Sequence, residues 1–126
     1  MQALERKSIV VINDSSPSLA LVADLLEQGG YAVVPCLETR RAHEVVRATM
    51  PSLVMLDSRG AAAPNWHASA MLKLDAQTAS IPVLLCLADT PEHAAVTARA
   101  GAMGCSILAT PFEPDDLLTR VRDLVG

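Results

Sequence analysis

Ser8-Ile9-Val10-Val11-Ile12-Asn13-Asp14-Ser15-Ser16-Pro17 is the stretch whose reading decides the fold. Its first half is a short apolar run that does not alternate in polarity. Such a run fits a strand covered on both faces, as in a parallel sheet. The run stops at Asn13-Asp14, and a helix opens at once. Ser16 is the expected N-cap and Pro17 suits the first helical position. Leu19, Val22, Ala23 and Leu26 then recur at helical spacing, and Gly29-Gly30 ends the segment. The unit is a strand, a turn bearing a carboxylate, and an amphipathic helix.

The same unit repeats along the chain. Apolar runs recur at Ala32-Val33-Val34, at Leu53-Val54-Met55-Leu56 before Asp57, at Ile81 to Leu87, and at Ser106-Ile107-Leu108-Ala109. Helical stripes lie between them. Ala42, Val45 and Val46 form one, stopped by Pro51. A weaker helix is expected from about Ala68 to Leu74. Thr90-Pro91-Glu92 opens another, with Ala94, Ala95 and Ala98 on one face and Gly101 past its end. Glu113-Pro114-Asp115-Asp116 opens the last, with Leu117, Val121 and Leu124 facing inward. The order is (βα)5. Right-handed crossovers make this an α/β chain with a doubly wound, five-stranded parallel sheet of flavodoxin-like order 2-1-3-4-5. Sites in such sheets lie beyond the carboxyl ends of the strands. The informative residues are therefore Asn13, Asp14, Asp57, Ser58, Arg59, Leu87, Ala88, Asp89, Thr110 and Pro111.

The 126 residues correspond to a single domain over 1–126. Ten Lys and Arg against 14 Asp and Glu leave a net charge of −4, which argues against direct nucleic-acid binding. Aromatics are Tyr31, Trp66 and Phe112 only, too few for a base-stacking platform or a flavin site. The longest apolar stretch, Ile81 to Ala88, is far short of the ~20 residues of a spanning helix. The first residues lack a signal-peptide pattern, so no membrane association and a cytoplasmic location are expected. Cys36, Cys86 and Cys105 each lie in or beside an apolar run and read as buried free thiols. His43 and His93 are expected to face solvent. His67 has no second His at ligand spacing. No Gly-rich phosphate loop or nucleophile elbow occurs.

Asp14 follows the first strand and Asp57 the third, and these strands are neighbours in the expected order. Two carboxylates would then meet at one rim. Like charges held close call for a cation or a proton between them. Mg²⁺, which takes one or two carboxylates and keeps several waters, is one solution. Two separately solvated loop acids are the other.

Four segments carry a resemblance that covers nearly the whole chain. They are Val10 to Pro17, Pro51 to Asp57, Ile81-Pro82-Val83-Leu84-Leu85, and Ala109-Thr110-Pro111-Phe112. In this order the chain resembles the receiver domain of two-component response regulators. The resemblance implies a phosphorelay component, not a stand-alone enzyme. It implies that Asp57 accepts a phosphoryl group from a histidine kinase or phosphotransfer protein. It also implies Mg²⁺ held by Asp14, Asp57 and the backbone carbonyl of Arg59, with Asn13 reaching the ion through water. A homodimer or an attached output domain is the implied partner.

The departures are specific. Asn13 stands where the family has an acid. Leu87 replaces the usual Ser or Thr, and Thr110 replaces the usual Lys before Pro111. Ile107 falls near the aromatic switch position. Asp89 has no assigned role, and Arg59 is the nearest candidate to replace the missing ammonium. The expectation is a receiver whose acceptor half is kept and whose readout half is degraded. The alternative is a pseudo-receiver, a protein-interaction module that works without phosphorylation.

Overall fold

Each apolar run becomes a strand because helices cover both of its faces. The computed structural model describes residues 6–57, 63–88 and 93–125. The elements are β1 (Ser8–Ile12), α1 (Ser16–Gln28), β2 (Ala32–Cys36), a 3₁₀ turn (Thr39–Arg41), α2 (Ala42–Thr49), β3 (Leu53–Asp57), α3 (Ala63–Leu74), β4 (Val83–Ala88), α4 (His93–Ala102), β5 (Cys105–Thr110) and α5 (Pro114–Val125). The five strands are parallel in the order β2-β1-β3-β4-β5, the doubly wound arrangement read from the sequence.

Alternation along the strands sorts the core into two layers. Val10, Ile12, Val54, Leu56, Val83, Leu85 and Leu87 pack with Ala42 and Val46 of α2, Ala68 and Leu72 of α3, and Ala100 of α4. Ile9, Val11, Leu53, Met55, Leu84 and Cys86 pack with Leu19, Val22 and Leu26 of α1 and Leu117 and Val121 of α5. All three cysteines are buried and free. No helix among the described residues is long and apolar enough to cross a membrane.

Several local expectations are corrected. The N-cap of α1 is Ser15, not Ser16, its side chain makes no cap bond, and its backbone N–H donates to Asn13 Oδ1. β2 runs on through Pro35, which an edge strand tolerates because one side needs no donor. β4 begins only at Val83. α2, by contrast, stops before Pro51 as expected, with Met50 leaving the helical region for the left-handed one (φ 46°). α3 starts five residues earlier than expected, at Ala63 rather than Ala68. In α4, Gly101 lies inside the helix and Ala94, Ala95 and Ala98 are exposed, while Ala100 faces the core. Thr90, Pro91 and Glu92 lie outside the described residues.

The connection from α3 to β4 contains no strand or helix and is held by polar contacts. The buried Thr78 hydroxyl donates to Leu72 O at 2.6 Å, satisfying a carbonyl at the end of α3. The Lys73 ammonium donates to Ala79 O and Ile81 O at 3.2 and 3.0 Å.

His43 is not simply solvent-facing. Its Nε2 lies 2.7 Å from Asp75 Oδ2, which fastens α2 to this connection, and Arg47 Nε lies 3.4 Å from the same oxygen. The Gln77 backbone N–H, then His43, and also Arg47 hold the Asp75 carboxyl below its ordinary value near 3.8. A carboxyl depressed in the folded state stabilises the fold above its ordinary value and loses that contribution as pH falls through the lower one. Asp75→Asn should therefore flatten the acid limb of the stability profile below about pH 4. Urea unfolding of both proteins across that range checks this, and parallel acid limbs would contradict it.

Candidate functional site

β1 and β3 are neighbours, with Ile12 paired to Leu56 in register. The next residues on each strand, Asn13 and Asp57, therefore sit side by side at the carboxyl rim. Asn13 is fully buried, and Asp57 is half-buried at the last position of β3. The Asn13 amide Nδ2 donates to Asp57 Oδ2 at 3.0 Å and to Ser18 Oγ at 3.0 Å. Its Oδ1 accepts the Ser15 backbone N–H at 2.9 Å. That last bond is an Asx turn, the motif by which Asn organises the two residues after it. Chemistry fixes the direction of the amide. Reversed, its carbonyl would face a carboxylate and its NH₂ would face an N–H.

Asp14, which follows Asn13 in sequence, is exposed. On the other side of Asp57, Cys86 is its register partner on β4. Burial, and then the Asp57 charge, pushes the Cys86 thiol far above its ordinary range. It stays protonated and offers no nucleophile.

The remaining rim positions lie further along the sheet. Leu87 is buried in the layer shared with α3 and α4, and it pairs with Ala109. Thr110 is half-buried at the end of β5, paired with Ala88, and is followed by a cis bond to Pro111. Ile107 is partly buried, and its carbonyl accepts from Arg120 of α5. Arg59, Asp89 and the side chain of Trp66 lie outside the described residues, as does the side chain of His93. His67 is exposed, and it borders a groove of about 380 Å³ with Thr39, Arg40, His43, Ala68 and Met71. Arg40 and His43 are engaged by partners outside the groove, Glu38 and Asp75.

Sequence reasoning missed Ser18 and the direct bond between Asn13 and Asp57. The Asn-x-Ser turn signal at Asn13 to Ser15 was present, but it does not say where the other end of the amide points.

No family model matches the chain. Among curated proteins it is similar to the phosphate regulon transcriptional regulatory protein PhoB of Pseudomonas aeruginosa, 27% identical over 117 residues, which is 92% of this chain and 50% of that protein. The chain thus spans about half the length of this relative. Among solved structures it superposes on the chemotaxis protein CheY4 of Vibrio cholerae with a TM-score of 0.82 at 20% identity, over 95% of this chain and 99% of that one. It superposes likewise on the receiver domain of the sensor histidine kinase PA1611 of Pseudomonas aeruginosa, which has a magnesium ion in its active-site cleft. There the TM-score is 0.83 at 16% identity, over 97% and 99% of the two chains. In sequence the chain is similar to response regulators, and its fold is that of CheY-like receiver domains.

Proposed function

We propose that this receiver domain accepts a phosphoryl group on Asp57 and that its readout of that event is weakened. The observation that carries the reading is the half-buried Asp57 at the end of the central strand β3, with one oxygen tied by Asn13. The tie fixes the orientation of the carboxylate that attacks. In the transfer, an Asp57 oxygen bonds to the phosphorus of a phosphohistidine on a kinase or phosphotransfer protein. The nitrogen–phosphorus bond breaks, the imidazole leaves with that electron pair, and an acyl phosphate remains.

The donor set fits Mg²⁺. It consists of hard oxygens from Asp14 and Asp57, with Asn13 Oδ1 keeping a second lone pair for a metal-bound water, and the family resemblance adds the Arg59 carbonyl as a third ligand. Among the described residues no group of three or more His, Cys, Asp or Glu is clustered to hold a metal, and the cation proposed here rests on the two carboxylates Asp14 and Asp57. Mg²⁺, when bound, supplies charge neutralisation between the carboxylate and the phosphoryl oxygens. Asp14, exposed and next in sequence to Asn13, adds negative charge that attracts a cation toward the rim.

The readout side lacks its polar groups. Leu87 brings no hydroxyl and packs into the core instead. Thr110 brings no ammonium. β5 lies two strands from β3, roughly 10 Å away. A lysine stem spans that gap and a threonine hydroxyl does not. The domain therefore couples phosphorylation weakly to the face formed by α4, β5 and α5, where an output domain or a second copy would dock in the cytoplasm. The same two residues favour the second reading, an interaction module that works without phosphorylation.

Mg²⁺ titration followed by a small phosphodonor, with uptake read by intact mass, separates the two. One added phosphoryl group that requires Mg²⁺ supports the acceptor reading, and no uptake supports the second. Thr110→Lys should tighten beryllofluoride binding roughly tenfold or more, since a hydrogen bond to a charged group is worth about 1.5–3 kcal/mol. It should also extend the amide shifts into β5. Unchanged affinity and shifts would contradict the account of the missing ammonium.

A further inference from the structure

Asn13 is fully buried, and all of its polar side-chain atoms are engaged, by Ser18 Oγ, the Ser15 N–H and Asp57 Oδ2. Two of these contacts come from the start of α1 and fix the amide before it meets Asp57. A carboxylate in the same place would stand about 3 Å from Asp57, and the pair would repel unless a cation or proton intervened. The amide makes this contact attractive, and it removes one negative charge from the cation's surroundings.

We propose that Asn13 is a positioning residue that holds Asp57 in place without a divalent cation. The acceptor pocket is thereby assembled in the metal-free protein, at the cost of weaker Mg²⁺ binding than an acid at position 13 would give. This rests on the reading of Asp57 as the acceptor and cation site. Ser18 belongs to the same device, because its hydroxyl takes the second Nδ2 hydrogen and keeps the amide from turning.

The test uses the whole chain, with Mg²⁺ as the probe, by calorimetry and amide-proton spectra. Asn13→Asp is expected to bind Mg²⁺ roughly tenfold tighter or more, from one added charge within a few ångströms of the ion. In the metal-free natural protein, the Asn13 side-chain NH₂ should exchange slowly with water, and Asp57→Ala should shift its signal. Equal Mg²⁺ affinity of the natural protein and Asn13→Asp would overturn the proposal. So would solvent-rate exchange of the Asn13 NH₂, a measurement that does not depend on any variant folding. Asp57→Ala separates this from the underlying reading. If it leaves Mg²⁺ affinity unchanged, the cation site itself is misassigned. If it abolishes binding while Asn13→Asp changes nothing, only the role of Asn13 falls.

Discussion

Asp57→Ala is expected to abolish phosphoryl uptake from small donors and to weaken Mg²⁺ binding by at least tenfold. The substitution removes the carboxylate at the rim end of the central strand β3 and leaves the exposed Asp14 as the remaining acid among the described rim residues. A single exposed carboxylate holds a hydrated dication poorly, because Mg²⁺ gives up its waters reluctantly. Its register neighbour Cys86 cannot take over, since burial keeps that thiol protonated. The fold should survive. Asp57 is half-buried, so water can replace its oxygen as acceptor for the Asn13 amide, and the loss should be about 1 kcal/mol or less. Intact mass after donor treatment and a Mg²⁺ titration check both effects. Undiminished uptake would place the chemistry elsewhere.

Leu84→Ala is expected to cost about 3 kcal/mol of stability, within the range seen when a fully buried leucine is truncated. Leu84 has no exposed surface. It lies on β4 between Met55 of β3 and Ser106 of β5, and it packs in the layer closed by α1 and α5. Rigid elements surround the site on that side, so collapse to fill the cavity is limited. For a chain of this size the loss corresponds to a drop of about 10 °C in Tm. Thermal unfolding checks it, and a shift of only a degree or two would mean that this layer is loosely packed.

The strands and their order were legible because burial on both faces leaves uninterrupted apolar runs, as at Ile9 to Ile12 and Leu53 to Leu56. Element ends were less so. The short reading of β2 stopped at Pro35, which signals a break in general but is permitted on an edge strand. α4 misled because alanine marks neither face strongly. Ala94, Ala95 and Ala98 form a stripe that points to solvent, and Ala100 is the buried alanine of this helix.

At the site, the rim positions of Asn13, Asp14 and Asp57 followed from strand order. The bond between Asn13 and Asp57 spans 44 residues and depends on the register of β1 with β3, which no local pattern encodes. The pairing of His43 with Asp75 was hidden for the same reason, as it joins α2 to a turn 32 residues away. The consequence of Leu87 for the readout was clear from residue type alone, because an isobutyl group cannot donate a hydrogen bond in any fold.

The central claim is that Asp57 is the phosphoryl acceptor. The most direct test treats the natural chain with Mg²⁺ and a small phosphodonor, reduces any acyl phosphate with borohydride, and locates the reduced residue by peptide mass mapping. The account predicts reduction at position 57 alone, dependent on both Mg²⁺ and donor. Reduction at Asp14 or any other carboxylate, or none at all under conditions that label another receiver domain, would contradict it.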